Sequence, residues 1–180
     1  MVVHIPDETI MQHIKEGKIA EMSVLFERYH LKIYNFFFRL TFNRDISQDL
    51  TQNLFYRMIK YRNSYNNEHN VKSWIFQIAR NLHADFRNQE KRNCEIILKF
   101  NSYSDEVSDK EDSYSEEDYI RLEQAMSNLT PDQKEMIILS RYQGMKYEEI
   151  SEIMNQSVPA IKVAIHRAIK KLKRIYLNKL

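Results

Sequence analysis

The sequence predicts an all-α protein with two small helical domains joined by an acidic linker. It contains two glycines and three prolines among 180 residues, whereas sheet-rich proteins use such residues at their many turns. Apolar residues recur three and four positions apart over long stretches, which is the period of an amphipathic helix. Charge divides the chain into three blocks: residues 1–92 have a net charge of +4, residues 93–121 of −6 and residues 122–180 of +4.

The first domain, residues 1–92, is expected to contain four helices. A short helix covers Asp7 to Glu16, and a longer one with the strongest periodicity in the chain follows from Ile19. Its inward positions are predicted to be Ile19, Met22, Phe26, Tyr29, Ile33, Phe36 and Leu40.

A third and a fourth helix complete this domain. Asp45 opens the third, and Asn70, at the end of a polar loop over residues 64–70, is placed to cap the fourth. The fourth helix runs to about Arg92. The residues expected to face inward are Ile46, Leu50, Leu54, Met58 and Ile59, then Val71, Trp74, Ile75, Ile78 and Leu82.

Residues 93–119 are predicted to form an acidic flexible linker, because residues 101–118 are rich in serine, tyrosine and acid and cannot bury a core. The second domain, residues 120–180, is expected to be a four-helix unit. Residues 130–133 (Thr-Pro-Asp-Gln) form a capping box with proline at the first helical position, which is a specific helix start. The buried face of that helix is assigned to Ile137, Ile138 and Tyr142, and Gly144 ends it.

The chain from Lys146 to Arg174 reads as a helix-turn-helix. Tyr147, Ile150 and Met154 give a short first helix one apolar face, Asn155 accepts the left-handed backbone that ends it, and Ser157 stands where an N-cap belongs. The second helix has inward positions Ile161, Ile165, Ala168 and Leu172, and no acid occurs from 158 to 174. Such a basic second helix enters a DNA major groove. The alternative is a solvated basic helix face.

Several function classes are disfavoured by composition. Cys94 is the single cysteine, so no disulfide framework exists and a reducing cytoplasm fits. No stretch resembles a signal peptide or membrane span, so we expect a cytoplasmic protein without direct membrane insertion. No phosphate-binding glycine loop, nucleophile motif or HExxH-like histidine pair occurs. We therefore expect no enzyme activity, no catalytic residue, no metal and no cofactor.

Three segments resemble a known family. Residues 45–55 (DISQDLTQNLF), residues 73–82 (SWIFQIARNL) and the helix-turn-helix are together similar to bacterial RNA polymerase sigma factors of the extracytoplasmic-function (ECF) type in the sigma-70 family. The resemblance covers about residues 19–92 and 120–175. It implies a sigma region 2-like bundle, which binds polymerase and recognises and melts the minus-ten element, and a sigma region 4-like domain that recognises the minus-thirty-five element.

The resemblance also implies the partners: core RNA polymerase, promoter DNA and an anti-sigma factor. The polymerase contacts would be the clamp helices of the largest subunit and the flap of the second-largest subunit. The linker would thread the template and RNA-exit channels, although a plain tether is an equal alternative. On the third helix the residues assigned to the polymerase are Asp45, Asp49, Gln52, Asn53 and Tyr56; the alternative there is a solvated face.

Minus-ten recognition is assigned to the fourth helix and the loop before it. Cationic side chains would bind phosphates and amide or acid side chains the base edges, while loop residues would hold a flipped base. The residues are Tyr65, Asn66, Asn67, Arg80, Asn81, Asp85, Arg87, Lys91 and Arg92. Trp74 is interpreted as a core residue rather than a platform for a base.

Minus-thirty-five recognition is assigned to the basic helix of the helix-turn-helix. The residues are Ser157, Ala160, Lys162, His166, Arg167 and Lys170. Two positions depart from the family pattern: Ala164 stands where a basic residue is usual, and Val163 where a small polar one is. The base preference of relatives therefore does not transfer. The rival functions are a helix-turn-helix regulator that acts without polymerase and, far less favoured, a metal-dependent hydrolase.

Overall fold

Eight α-helices make up the fold in a computed structural model, which describes residues 5–67, 70–100 and 116–177. No β-strand occurs in these ranges. Side chains of residues 94–100, 116–120 and 177 lie outside the description. The helices are α1 (Asp7–Lys15), α2 (Met22–Thr41), α3 (Arg44–Lys60), α4 (Val71–Phe100), α5 (Glu116–Ser127), α6 (Pro131–Ile137), α7 (Tyr147–Met154) and α8 (Val158–Leu177).

The centre of the first half is α2, which packs against α1, α3 and α4. Its stripe of fully buried side chains includes Leu25, Ile33 and Phe36. The Phe36 ring meets Phe76 of α4 edge to face, with the ring centroids 5.4 Å apart, a favoured aromatic geometry. The predicted periodicity of this helix is therefore the periodicity of the core.

One inward assignment on α2 is wrong. Phe26 is 43% exposed, and its ring stacks on His30 and tilts against Phe55 of α3 at the edge of the bundle. Leu25, one position earlier, takes the fully buried place. The α-helix also begins at Met22, because Ile19–Glu21 form a separate 3₁₀ turn.

The starts of α3 and α4 follow capping chemistry. The Asn43 side chain accepts a hydrogen bond from the Ile46 N–H at 3.0 Å, so α3 starts one residue before the predicted Asp45. The Asn70 side chain accepts from the Lys72 N–H at 2.8 Å, as its position in the sequence indicates. At its far end α4 continues to Phe100, eight residues past the expected end, and α5 already begins at Glu116. Residues 93–100 and 116–119 of the expected flexible linker are therefore helical, and the assignment for 101–115 lies outside the described residues.

In the second half, α6 starts with the predicted capping box. Thr130 Oγ1 accepts from the Gln133 N–H at 3.3 Å, and Gln133 Oε1 accepts from the Thr130 N–H at 3.1 Å. The helix then widens into a π turn over Ile138–Tyr142, which changes the direction of the following side chains. Tyr142 is consequently 44% exposed rather than buried, and Gly144 ends the turn with a φ of +59°.

The helix-turn-helix has the predicted three-residue turn. Asn155 adopts the left-handed conformation with φ 51° and ψ 48°, and Ser157 Oγ accepts from the Ala160 N–H at 3.4 Å to cap α8. At the start of α7, Glu149 accepts a hydrogen bond from the Lys146 N–H at 2.7 Å, which is the contact that the glutamate of a capping box makes. Three inward residues of α8 are buried as expected, namely Ile161, Ile165 and Ala168, whereas Leu172 is only partly buried against the core.

The two halves share one continuous apolar core. α4 of the first half packs against α7 of the second, and α2 packs against the π turn. None of the described helices combines the length and apolar composition needed to cross a bilayer.

The capping box gives a test of this fold. Thr130→Ala is expected to lower the free energy of unfolding by about 1 kcal/mol, because the Gln133 N–H loses its acceptor. Urea denaturation followed by circular dichroism measures the change. Ser127→Ala is the matched control, since that hydroxyl bonds a carbonyl of its own helix at 2.8 Å; equal losses for both variants would contradict the role of Thr130.

Candidate functional site

The residues assigned to polymerase binding form one exposed face of α3. Asp45, Asp49, Gln52, Asn53 and Tyr56 are all exposed, and their spacing places them along one side of the helix. Tyr56 is 63% exposed, although it is a large aromatic residue. The opposite side of α3 is buried through Leu50, Leu54 and Met58. This face therefore carries acid, amide and aromatic groups that no neighbouring helix covers.

The loop before α4 does not present all of its assigned residues. Asn66 and Asn67 are exposed, whereas Tyr65 is 1% exposed and packs edge to face against Trp74 at 5.4 Å. Burial, with a contribution from the Glu8 carboxylate, raises the pKa of Tyr65. In this arrangement the Tyr65 ring supports the core and is not available to stack a base. Trp74, at 9% exposure, is a core residue as interpreted from the sequence.

Helix α1 makes two hydrogen bonds to the loop before α4. Lys15 Nζ donates to the Tyr65 carbonyl at 2.8 Å, and Asn67 Nδ2 donates to Gln12 Oε1 at 2.8 Å. At the other end of α1, Asp7 bonds Arg28 and Tyr29 of α2. The helix thus ties the loop to the central helix of the bundle, a role that the sequence did not suggest.

Of the α4 residues assigned to minus-ten recognition, two are half-buried at the contact between the halves and four are exposed. Arg80 and Arg87 are half-buried and face the second half of the chain. Asn81, Asp85, Lys91 and Arg92 are exposed. Asp85 also makes an ion pair with Arg57 of α3 at 2.9 Å.

Arg80 is engaged by a buried acid of α6. Arg80 Nε donates to Glu135 Oε2 at 2.9 Å, and its Nη2 lies 3.3 Å from Asp132 Oδ1. The other oxygen of Glu135 is 3.3 Å from His83 Nδ1. The side chains of Glu135 and His83 are 4% and 5% exposed, so the carboxylate depends on these two partners for its hydrogen bonds. We call Arg80, His83, Asp132 and Glu135 the interdomain cluster.

Three further contacts join the halves beside this cluster. The Arg39 guanidinium of α2 lies 3.8 Å from the centroid of the Tyr142 ring, which is a cation–π geometry. Gln143 Nε2 donates to the Lys32 carbonyl at 3.1 Å, and Lys72 Nζ donates to the Gln143 carbonyl at 3.3 Å. The π turn thus reaches both α2 and α4.

A cavity of about 200 Å³ lies at the same junction, with Thr41, His83, Arg87, Pro131 and Lys134 among its lining residues. Burial lowers the pKa of Lys134, the neighbouring Arg87 lowers it further, and Glu123 acts in the opposite direction. Arg87 is therefore half-enclosed next to a second cation rather than projecting freely from α4.

All residues assigned to minus-thirty-five recognition lie together on the exposed face of α8 and its cap. Ser157, Ala160, Lys162, His166, Arg167 and Lys170 are exposed. Lys162 Nζ is 5.9 Å from the centroid of the Tyr147 ring on α7. Lys171, by contrast, is half-buried and donates to the Asn128 carbonyl at 2.6 Å. The helix therefore presents a basic face on one side and its apolar side to the core.

Sequence reasoning missed the interdomain cluster, although a signal was present. Glu135 stands three and four positions before Ile138 and Leu139, which are both buried, so an acid occupied an inward position of a helix. His83 follows the buried Ala79 by four positions in the same way. A buried acid and a buried histidine on different helices each require a polar partner.

Comparisons with known proteins agree with this architecture. Family models for sigma-70 region 2 and sigma-70 region 4 match residues 25–93 and 119–172. The RNA polymerase sigma factor SigV of Bacillus subtilis (strain 168) is 30% identical over 152 residues, covering 79% of this chain and 85% of that protein. The ECF RNA polymerase sigma factor SigX of the same organism is 26% identical, with coverage of 84% and 81%.

Two solved structures share the fold. CnrH, solved in complex with the cytosolic domain of CnrY, matches 94% of this chain and 96% of its own with a TM-score of 0.72 at 17% identity. The sigma factor RpoE of Bartonella quintana, in a co-crystal structure with the anti-sigma factor NepR, matches 85% of this chain and 94% of its own with a TM-score of 0.69 at 23% identity. With both sigma-70 regions matched in order and a 30% identical relative matched over most of its length, this chain belongs to the ECF sigma factors of the sigma-70 family.

Proposed function

We propose a division of labour within this sigma factor, which directs promoter-specific initiation by RNA polymerase. The exposed face of α3 binds the core enzyme, the end of α4 and its preceding loop bind and melt the minus-ten element, and α8 binds the minus-thirty-five element. The protein acts in the cytoplasm by binding and positioning, without catalysing a reaction, and leaves the polymerase after initiation. The observation that carries this proposal is the exposure of all assigned residues on α3 and α8.

The α3 face suits a partner helix that carries basic groups. Its two carboxylates, Asp45 and Asp49, are flanked by the amides of Gln52 and Asn53, so ion pairs can be supplemented by hydrogen bonds. Tyr56 adds apolar area with a polar end, a combination that is enriched at the centre of protein interfaces. The clamp helices of the largest polymerase subunit are the proposed partner here, and the flap of the second-largest subunit is the proposed partner of the second domain.

We call the arrangement in which the two halves are in contact the closed arrangement. In this arrangement the exposed residues of α4 are better candidates for binding the minus-ten element than the half-buried Arg80 and Arg87. Lys91 and Arg92 can bind phosphates, and Asn81 can bond a base edge. Asn66 and Asn67 remain the loop candidates because both are exposed. Arg80 and Arg87 join this surface only when α6 moves away.

The spacing of the promoter elements requires such a movement. Elements centred about 25 base pairs apart are separated by about 85 Å along straight DNA. A compact chain of this length has a radius of gyration of about 16 Å and is about 40 Å across. The two domains must therefore separate to bind both elements, and that separation breaks the interdomain cluster. We propose that the closed arrangement is the form outside the polymerase, in which Arg80 is withheld from DNA.

An anti-sigma factor is the proposed regulatory partner. The support is that the solved relatives RpoE and CnrH were crystallised with NepR, named an anti-sigma factor, and with the cytosolic domain of CnrY. Such a partner would shift the equilibrium between the closed and the separated arrangement towards the closed one if it bound that arrangement better.

Run-off transcription on genomic fragments tests the proposed function. Purified core polymerase supplemented with this protein is expected to give discrete new start sites that are absent with core alone. The rival, a regulator that acts without polymerase, predicts tight and sequence-specific binding of the protein alone to DNA. That binding without any new start site would overturn the proposal.

The polymerase face has a matched pair of variants. Asp49→Ala with Gln52→Ala is expected to reduce affinity for core polymerase at least tenfold, because it removes a neutral hydrogen bond and a charge-assisted one, of which the latter alone is worth about 1.5–3 kcal/mol. The control is Glu27→Ala with Asn35→Ala, which removes an exposed acid and an exposed amide from α2. Affinity is measured by fluorescence anisotropy of labelled protein, with circular dichroism to confirm the fold; equal affinities for both pairs would remove the α3 assignment.

The interdomain cluster gives a separate prediction. Glu135→Gln with Asp132→Asn is expected to open the chain, because the charges that hold Arg80 disappear while the side-chain shapes remain. Small-angle X-ray scattering should show a larger radius of gyration, and a forked minus-ten DNA should bind more tightly. Glu152→Gln on the exposed side of α7 is the control. An unchanged radius of gyration would show that the apolar contacts alone hold the halves together.

A further inference from the structure

A large apolar side chain stands in the middle of the basic face of α8. Val163 is 48% exposed, whereas Ile161 and Ile165, two positions to either side, are 0% and 2% exposed. At 100° per residue these neighbours point about 160° away from Val163. Val163 therefore lies on the far side of the helix from the core, and packing does not account for a valine there.

The surroundings of Val163 are those of a DNA-contacting surface. Ala160, Arg167 and Lys170 lie three positions before it and four and seven positions after it, so the four residues form one exposed stripe. Lys162 and His166 flank the stripe and are also exposed. Ala164, the other apolar departure from the family pattern, is half-buried against the core, which explains that residue without reference to DNA.

Its position along the helix also matters. α8 begins at Val158, so Val163 falls within the first two turns. In helix-turn-helix proteins the residues near the start of the second helix contact base edges, while cations further along and on the flanks contact phosphates. Val163 is thus placed among the base-reading positions, with Arg167 and Lys170 one and two turns further on.

The chemistry of valine limits what it can read there. The side chain has no donor or acceptor, and each base pair presents polar atoms in the major groove apart from the C5-methyl group of thymine. Placing an apolar side chain over polar edges removes their water without supplying a hydrogen bond, which is unfavourable. A β-branched residue is also a weaker helix former than the lysine or arginine of the surrounding face.

We propose that Val163 reads the C5-methyl group of a thymine in the minus-thirty-five element. This inference rests on the proposed role of α8 and adds to it a base identity at one promoter position. The neighbouring cations bind phosphates and hold the helix in the groove, and Val163 selects thymine by apolar contact. The alternative is that Val163 is an exposed valine without a binding role, and the experiment below distinguishes the two.

The experiment uses the holoenzyme on a promoter identified by run-off transcription. Each thymine of the minus-thirty-five element, on either strand, is replaced singly by deoxyuridine, which removes the methyl group and keeps the base pair. With the wild-type protein, one replacement is expected to lower initiation at limiting protein about fourfold, the change expected when one methyl group loses an apolar contact.

Two variants complete the design. Val163→Ser is expected to lower initiation on the thymine template and to remove the difference between thymine and deoxyuridine, because no apolar contact remains to be lost. Lys170→Ala is the control for a phosphate contact, and it should lower initiation on both templates by the same factor. Circular dichroism confirms that Val163→Ser, an exposed substitution, leaves the fold intact.

The outcomes separate this inference from the function on which it rests. Absence of any discrete start site would overturn the proposed function and this inference with it. Discrete start sites with no thymine in the minus-thirty-five element, or with equal deoxyuridine effects for wild type and Val163→Ser, would overturn the role of Val163 alone. A deoxyuridine effect at one position that disappears in Val163→Ser would establish it.

Discussion

One buried carboxylate constrains how the two halves of the chain meet. Glu135 is 3% exposed, and an ionised acid at that depth is stable only with charged or hydrogen-bonding partners. Arg80 and His83, both from α4, supply those partners. Because the partners come from the other half of the chain, the apolar core can continue across the junction without leaving the acid unsatisfied. The same interaction engages Arg80, which is proposed above to join the minus-ten surface when the halves separate.

The contact between the two halves determines which of the proposed functional surfaces are exposed. The faces of α3 and α8 remain exposed while the halves are together, since neither contributes its outward side to the junction. The basic side of α4 is partly covered by α6. With the proposed assignments, the protein would meet the polymerase through α3 before its minus-ten surface is complete. Polymerase binding and domain separation are then linked, because a partner that binds the separated form better draws the equilibrium towards it.

Local signals in the sequence identified the elements and most of their faces. The stripe of α2, the capping box at Thr130, the left-handed Asn155 and the cap at Ser157 each depend on residues within one or two turns, so short-range chemistry was sufficient. Phe26 and Tyr142 were assigned wrongly for reasons that are not local. Phe26 lies at the margin of a stripe whose width is set by the packing of α3, and Tyr142 is the last residue of a π turn that shifts the helical register and that no motif in the sequence indicated.

The sequence by itself determined the helices of the described residues and the basic and acidic faces of α8 and α3, because helix period, caps and charge depend on neighbouring residues. The two sigma regions were inferred from the resemblance of three segments to a known family. The tertiary structure alone decided which polar side chains remain available. Tyr65 became a core residue because α1 and Trp74 close over it. Arg80 became an interdomain partner because an acid 55 positions away is buried against it. The physical reason is that the burial of a side chain depends on which residues, distant in sequence, pack against it, and a local sequence pattern does not specify those contacts.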